Sequence, residues 1–525
     1  MSYLELPRLH FSGQFMAMPS TINNDAANYN TAISPPANPG WNPAGLHMVL
    51  LQSCTVTSTV DDTATLLTSS SDDSAIGANV EADGVEGIAK LVDIDPDFQS
   101  YSQIYGLRLK LSSGSTELVS GLMKPVALRD LWFGRAGAGM AGAGGIYNSV
   151  LDTVRWGTSL TSPTLARLHA IAPHVLSVKL SLHGYDPSSK VGQIVGTISR
   201  SATLDDEGFV TRRAMGAPQS GAFGVAPWRP HGTLNKISID LGNALPESSA
   251  GGARINQGTL SVVRIDDSTT PATTTAMGSS IPYDVARLRL TAGVEVVSIT
   301  AADIAALATQ RLGLMGTVPA SRLLISERPS GIYMNAFPTF FRLSPGDTRN
   351  VVIRVSQFGA PKNGHTVAVA HAASRAPAAG LTFAATTTTS GGDATVRLTA
   401  AKPNHPRPHL DGQCYQIAFG DSPLTPSNVW GTFVVLVFDA FTAPATPRWS
   451  HIEPMFRQYA HLYPGMKSIM DLSSHAVVST AANIAKLQAV FNRGEQDARY
   501  MPVTRDLSAA KRAMIMKWLA AGAPL

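Results

Sequence analysis

The chain has 525 residues, 44% of them hydrophobic and only 15% charged, with a formal net charge of +4. That length suggests about three or four domains and a core large enough to need neither disulfide nor metal. No run of Lys and Arg exceeds two residues, which excludes a nucleic-acid footprint, and Cys54 and Cys414 are too far apart for a zinc knuckle, a C-x-x-C redox pair or covalent C-x-x-C-H haem attachment. The opening MSYLELPRLHFSGQF lacks a basic segment followed by an apolar run, and no stretch of 18 apolar residues occurs. The expectation is a cytoplasmic protein that does not insert into a membrane.

In chain order, most segments have the pattern of short strands. Val49–Val60, Leu107–Leu111, His174–His183 and Gly192–Ile198 alternate apolar and polar residues or form brief apolar runs, as do Thr233–Leu241, Gly258–Ile265 and Val285–Leu290. Gly, Pro, Asn and Asp clusters separate them, the pattern of a sandwich or barrel. Two helices interrupt: Ser162–Ala172, with Ser as N-cap and Pro at the first helical position, and Thr300–Leu312, opening with the capping-box pair Thr300 and Asp303. Residues 1–336 are therefore expected to form a large β-rich region of one or two subdomains.

Residues 337–443 carry seven short alternating strands, the arithmetic of an immunoglobulin-like sandwich of about 100 residues. Asp411-Gly412-Gln413-Cys414-Tyr415 has the form of a tyrosine corner, in which the Tyr415 hydroxyl bonds backward to a loop backbone group. After Pro444-Ala-Thr-Pro447 the pattern turns helical over Ile452–Tyr463, Ala481–Phe491 and Ser508–Ala521. In the last of these Leu507, Met514, Ile515, Trp518 and Leu519 share one stripe. The fold class expected is mainly β with a small helical domain over 444–525.

Several constellations could carry chemistry. Gly137-x-Gly139-x-x-Gly142 matches a dinucleotide fingerprint, but no Asp or Glu follows at the required distance, and a glycine-rich loop fits better. Asp93, Asp95 and Asp97 begin like a calcium loop, yet Phe98 and Ile104 occupy the positions an EF-hand gives to Gly and Glu. They remain a candidate metal site, weighed against a turn whose carboxylates cap amides. His405, His409 and Asp411 could converge on zinc or iron, against the alternative of a solvated loop. No H-E-x-x-H, G-x-S-x-G, Walker A or Glu-x-x-His occurs, so the chain cannot build a ferritin-like di-iron centre by itself.

Two resemblances add to this. Leu4-Glu-Leu-Pro7-Arg8-Leu-His10-Phe11-x-Gly13, Gly40-Trp41-Asn42-x-Ala44-Gly45, Val92-Asp93-x-Asp95-Pro96, Gln103-Ile104-Tyr105 and Tyr500-Met501-Pro502-x-Thr504-Arg505-x-Leu507-Ser508 occur in that order. Together they resemble the long N-terminal region of the violacein-pathway imine-dimer synthases and chromopyrrolic acid synthases. Members of that family oxidatively couple indole-pyruvate imines, carry a ferritin-like domain after this region, and in some cases are associated with haem. The resemblance implies that the ferritin-like domain would begin where this chain stops, and hence a ferritin-like partner on a separate chain.

The C-terminal 70 residues or so are similar to a class I cytochrome c domain. Ile452-Glu453-Pro454-Met455-Phe456-Arg457, Asp471-Leu472, Met501-Pro502 and Trp518–Pro524 carry the likeness. Tyr459-Ala460-His461-Leu462-Tyr463 stands where the haem-binding C-x-x-C-H would be. The likeness therefore implies a haem-less relic, with Met501 as the one residue matching a distal haem ligand.

The leading expectation is an accessory or scaffold subunit of an oxidative, imine-coupling-like enzyme, acting with that ferritin-like di-iron partner and requiring no cofactor of its own. One alternative is a stand-alone oxidative enzyme with non-covalent haem or a metal ion, with His10, His405 and His409 as catalytic candidates. The other is a ligand- or protein-binding sandwich module.

Overall fold

The computed structural model describes residues 2–18, 48–83, 87–93, 102–132, 144–186, 189–201, 213–216, 223–247, 254–372, 379–404, 411–462 and 464–525. Strands dominate, and the helices are concentrated at the C-terminal end.

The first unit is a closed barrel. Strand Arg8–Met18 pairs with Val191–Arg200, and the order continues through Leu176–Asp186, Gly144–Trp156, Thr116–Met123, Arg108–Ser113, Asn79–Asp83 and Met48–Val60. Met48–Val60 then pairs back to Arg8–Met18, so eight antiparallel strands close on themselves. A barrel of this size has an interior just wide enough for side chains to fill. Leu9, Phe11, Phe15, Val56, Leu109, Tyr147, Val178 and Ile198 are among those filling it. Gly196 lies opposite Phe11, where a Cβ would run into the Phe11 ring, so only glycine lets that ring lie across its neighbouring strand. Helix Pro163–Ile171 packs Leu165 and Leu168 into the same core. It starts as its sequence predicts, with the Ser162 hydroxyl accepting from the Leu165 amide at 3.1 Å.

The second unit stacks two four-stranded sheets. One runs Ala214–Met215, Ala226–His231, Lys236–Asp240, Val294–Ser298; the other runs Thr273–Ile281, Leu260–Asp266, Arg311–Gly316, Arg322–Ser326. Trp228, Ile237, Ile239, Val262, Leu312 and Leu314 form their shared core. Two local expectations fail here. Val285–Leu290 is not a strand but most of helix Val285–Thr291, because the Asp284 carboxylate accepts from the Arg287 amide at 2.7 Å and nucleates a turn. The helix opened by the Thr300–Asp303 capping box ends at Ala306, and Arg311–Gly316 pairs as a strand instead. Burial of Leu312 and Leu314 in a sheet outweighed helical propensity there.

The third unit is again two facing sheets. Ile332–Phe337, Thr348–Gln357, Asp393–Ala400 and Leu381–Thr382 form one; Phe340–Leu343, Val429–Val437, Gln413–Asp421, Thr366–His371 and Thr386–Thr388 form the other. Phe340–Leu343 runs parallel to Val429–Val437, and all other pairs in these sheets are antiparallel. One core spans both sheets, from Val351, Ile353 and Val396 to Ile417, Phe433 and Val435. The Tyr415 hydroxyl donates to the Ala379 carbonyl, a backward bond of the kind its sequence setting predicts.

The helical C-terminal region comprises Trp449–Leu462, Pro464–Ser468, His475–Val478, Ala481–Phe491 and Ala509–Ala520. Ser508 caps the last helix, and its predicted stripe of Leu507, Met514, Ile515, Trp518 and Leu519 is buried. Trp449, Phe456 and Trp518 pack at its centre, with ring centroids 5.7–6.2 Å apart. Among the described residues, no helix is long and apolar enough to cross a membrane.

Candidate functional site

Two junctions between these units gather chemistry-bearing side chains. The first follows from alternation along the barrel strands. Leu9 and Phe11 point into the barrel, so Arg8 and His10 point outward, onto the second unit. Arg8 donates from Nη1 to the Ser238 hydroxyl at 2.9 Å and the Leu4 carbonyl at 3.1 Å, and from Nε to His10 Nε2 at 3.3 Å. His10 Nε2 is therefore an acceptor, which leaves the ring proton on Nδ1, 3.0 Å from the Thr197 hydroxyl. Beside them Lys179 Nζ lies 2.8 Å from both carboxylate oxygens of Asp240, which also accepts from the Tyr3 hydroxyl at 2.7 Å. His183 and Arg254 meet Glu247 at 3.1 and 2.9 Å.

This layer is sealed. Arg8, His10 and Lys179 are fully buried. Burial pushes the His10 imidazole well below its ordinary range, and the charges of Arg8, Lys179 and Arg287 push it further the same way. Burial likewise brings the Arg8 guanidinium down to about 10. The imidazole is held at both nitrogens by barrel residues, Arg8 and Thr197, and is closed to solvent, while Arg8 makes the link across to Ser238 of the second unit.

The second junction joins three units. Hairpin strands Lys90–Asp93 and Ser102–Tyr105 lie beside the barrel and present Val92 and Tyr105 to a shared apolar cluster. Ala127, Phe340, Cys414, Val434, Leu436 and Phe438, with Val503 of the helical region, complete it. The Arg505 guanidinium stacks 3.7 Å above the Tyr105 ring. It also donates to the carbonyls of Glu495 at 3.1 Å, Asp497 at 2.8 Å and Val503. Such a planar fork, stacked and hydrogen-bonded at once, is a role lysine cannot fill. Arg512 lies 4.0 Å over Tyr500 in the same assembly. Burial lowers Arg505 to about 10 and raises the Tyr500 phenol.

A cleft of about 580 Å³ opens at this junction, walled by Gln103, Tyr105, Phe340, Arg342, Arg349 and Glu495 among others. Arg342 is the pivot. Its Nη1 donates to the Tyr105 hydroxyl at 3.5 Å and pairs with the Glu495 carboxylate, while the Phe340 ring lies 4.8 Å from its guanidinium carbon. This cleft, open to solvent and carrying both charge signs, is the candidate functional site.

The sequence-derived candidates fall unevenly on this geometry. His10 belongs to the sealed layer, away from the cleft. Met501 is half-buried and packs on the three-unit cluster, outside the helical region's own core. Asp93 ends its hairpin strand, whereas Asp95, Asp97, His405 and His409 lie outside the described residues, as does the glycine run at 137–142. Asp411 pairs with Lys511 at 3.0 Å. Among the described residues no three His, Cys, Asp or Glu side chains gather as metal ligands would. Sequence reasoning missed Arg342 and Glu495; a strand reading FFRL and a loop glutamate gave no signal of their meeting.

No protein-family model matches the chain, and no curated protein does. Among solved structures, domains 4 and 5 of the S-layer protein SbsC align at 8% identity and a TM-score of 0.15, covering 39% of this chain and 82% of that one. A longer SbsC fragment, residues 31–844, aligns at 9% and 0.16, covering 70% of this chain and 51% of that one. Salmonella alpha-2-macroglobulin reacted with methylamine aligns at 11% and 0.17, covering 98% of this chain, which spans only 35% of that one. Likenesses this faint carry no argument about function.

Proposed function

We propose that this chain is a non-catalytic scaffold subunit of an oxidative, imine-coupling-like enzyme, acting with a ferritin-like partner on a separate chain. One observation carries the reading. Gln103-Ile104-Tyr105 and Tyr500–Ser508, two of the blocks that resemble the imine-dimer synthase region, come together in space, with Arg505 stacked on Tyr105. Blocks far apart in sequence that meet as one structural joint support a shared architecture. The block at 4–13 spends Arg8 and His10 on a sealed layer, which supports a scaffold over a catalyst.

The same reading takes residues 337–443 as an immunoglobulin-like sandwich. In support stand the strand order of its two sheets, the parallel pairing of Phe340–Leu343 with Val429–Val437, and the Tyr415 bond to Ala379. It takes 444–525 as a cytochrome c-like domain kept for packing, supported by the aromatic cluster of Trp449, Phe456 and Trp518 at its centre.

The test is affinity purification of the full chain from its native host, with mass spectrometry of the co-eluting proteins. A stoichiometric ferritin-like protein is the expected result. A chain that elutes alone and carries haem or metal would replace this proposal with the stand-alone oxidative enzyme.

A further inference from the structure

We infer that the three-unit cleft is a binding site for a small organic carboxylate, received by Arg342 in exchange for Glu495. The inference rests on the chemistry of one guanidinium and does not depend on the scaffold reading. Arginine presents two edges to an oxyanion: its two terminal nitrogens end-on, or Nε together with Nη2 side-on, each matching the spacing of a carboxylate's oxygens. In Arg342 only Nη1 is engaged, by Tyr105 and Glu495. Nε and Nη2, the side-on edge, are buried and have no hydrogen-bond partner among the described residues. A buried N–H left unpaired costs free energy, so a ligand that satisfies both donors at once gains from each.

The surroundings favour a carboxylate and a way in. Arg342 has 11% of its side chain exposed, Glu495 50%. The pair is thus held by a buried cation and a half-solvated anion, and the anion is the cheaper member to displace, because water solvates it on release. To present its side-on edge to the cleft the guanidinium gives up both contacts of Nη1, with Glu495 and with the Tyr105 hydroxyl 3.5 Å away, and turns. The Phe340 ring lies 4.8 Å from the guanidinium carbon, and the Tyr105 hydroxyl donates to Gln103, which keeps a partner for that hydroxyl when Arg342 turns away. Arg349, exposed on the same wall and 5.8 Å from the Phe341 ring, adds positive charge there and offsets the Asp347 carboxylate that also lines the cleft. A volume of about 580 Å³ is in the range of small-molecule sites. Glu495 therefore serves as an internal carboxylate that occupies the arginine until a ligand replaces it.

Calorimetric titration of the full chain with succinate, citrate and benzoate tests this, with succinamide as the uncharged counterpart and inorganic phosphate as the competing anion. At least one carboxylate should bind saturably and succinamide should not. Arg342→Lys, which keeps the charge but removes the side-on edge, should weaken that binding about tenfold or more. Glu495→Gln should tighten it several-fold by removing the internal competitor, and since Glu495 is half-exposed this variant keeps the fold. The inference is overturned if none of the three carboxylates binds at about 10 mM, a ceiling near 3 kcal/mol of affinity. It is equally overturned if phosphate binds more tightly than all of them, or if Glu495→Gln leaves carboxylate binding unchanged.

Discussion

The two polar junctions use the same residue types to opposite ends. Between barrel and second unit, Lys179 and Asp240 are 0% and 1% exposed, a charge pair closed off from water on both sides. At the three-unit junction, Arg342 is mostly buried but its partner Glu495 is half in solvent, and an open cleft lies beside them. A charge pair buried on both sides is costly to break and fixes geometry; a pair buried on one side can exchange partners. The difference separates a joint from a site without any appeal to residue identity.

The sharpest way to break this comparison is Lys179→Met. It strands the Asp240 carboxylate in the sealed layer and should cost about 3–5 kcal/mol of stability, read by urea denaturation. Adding Asp240→Leu should restore much of that loss; a double variant as unstable as the single would show that the pair does more than neutralise itself. Next in size is Arg505→Lys, which keeps the charge at the three-unit junction but gives up stacking on Tyr105 and the forked bonds to backbone carbonyls. A loss of about 2 kcal/mol is expected, with faster proteolysis of the helical region.

Acid should act on the sealed layer first. At the edge of that layer the part-buried His231 has Nε2 2.8 Å from the Ser238 hydroxyl; burial, with Arg8, Arg229, Arg200 and Lys236 nearby, pushes it down to about 3, and His10 is shifted the same way. Both imidazoles are neutral in the folded chain, whereas the unfolded chain protonates them below about 6.5. Stability is therefore full above that pH and falls as pH drops; for His231 the fall runs from about 6.5 toward 3 at roughly 1.4 kcal/mol per unit, and His10 adds to it in the same direction. Thermal midpoints across that range should flatten in His231→Gln. The smallest effect expected is that of Glu495→Gln on stability, below about 1 kcal/mol, because the pair it breaks is half-solvated. A large loss there would put the two junctions in the same class.

The fold was legible in the sequence where the signal is local. Ser162 with Pro163, the Ser508 cap and its apolar stripe, and the strands of the third unit follow from short-range pattern, and the structure has them. Val285–Leu290 misled because V-A-R-L-R-L alternates like a strand, while the cap at Asp284 decides for a helix. Closure of the barrel was not legible: nothing in Arg8–Met18 says that it pairs with both Met48–Val60 and Val191–Arg200. The candidate site was half legible. Tyr105 and Arg505 lie in the resembling blocks, but the contact between them, and the arrival of Arg342 and Glu495 at the same place, are products of tertiary packing.

Barrel closure has a consequence for how the chain is made. Strand Arg8–Met18 can zip to Met48–Val60 early in synthesis, but its other neighbour, Val191–Arg200, leaves the ribosome only after more than a hundred further residues. At about 5–20 residues per second that interval is on the order of ten seconds. Throughout it the nascent chain offers an unpaired strand edge with Phe11 and Phe15 uncovered, the kind of surface that chaperones hold and neighbouring nascent chains join. Ribosome-bound chains halted before Val191 should be cut by protease within Arg8–Met18, and those halted after the whole barrel has emerged should resist.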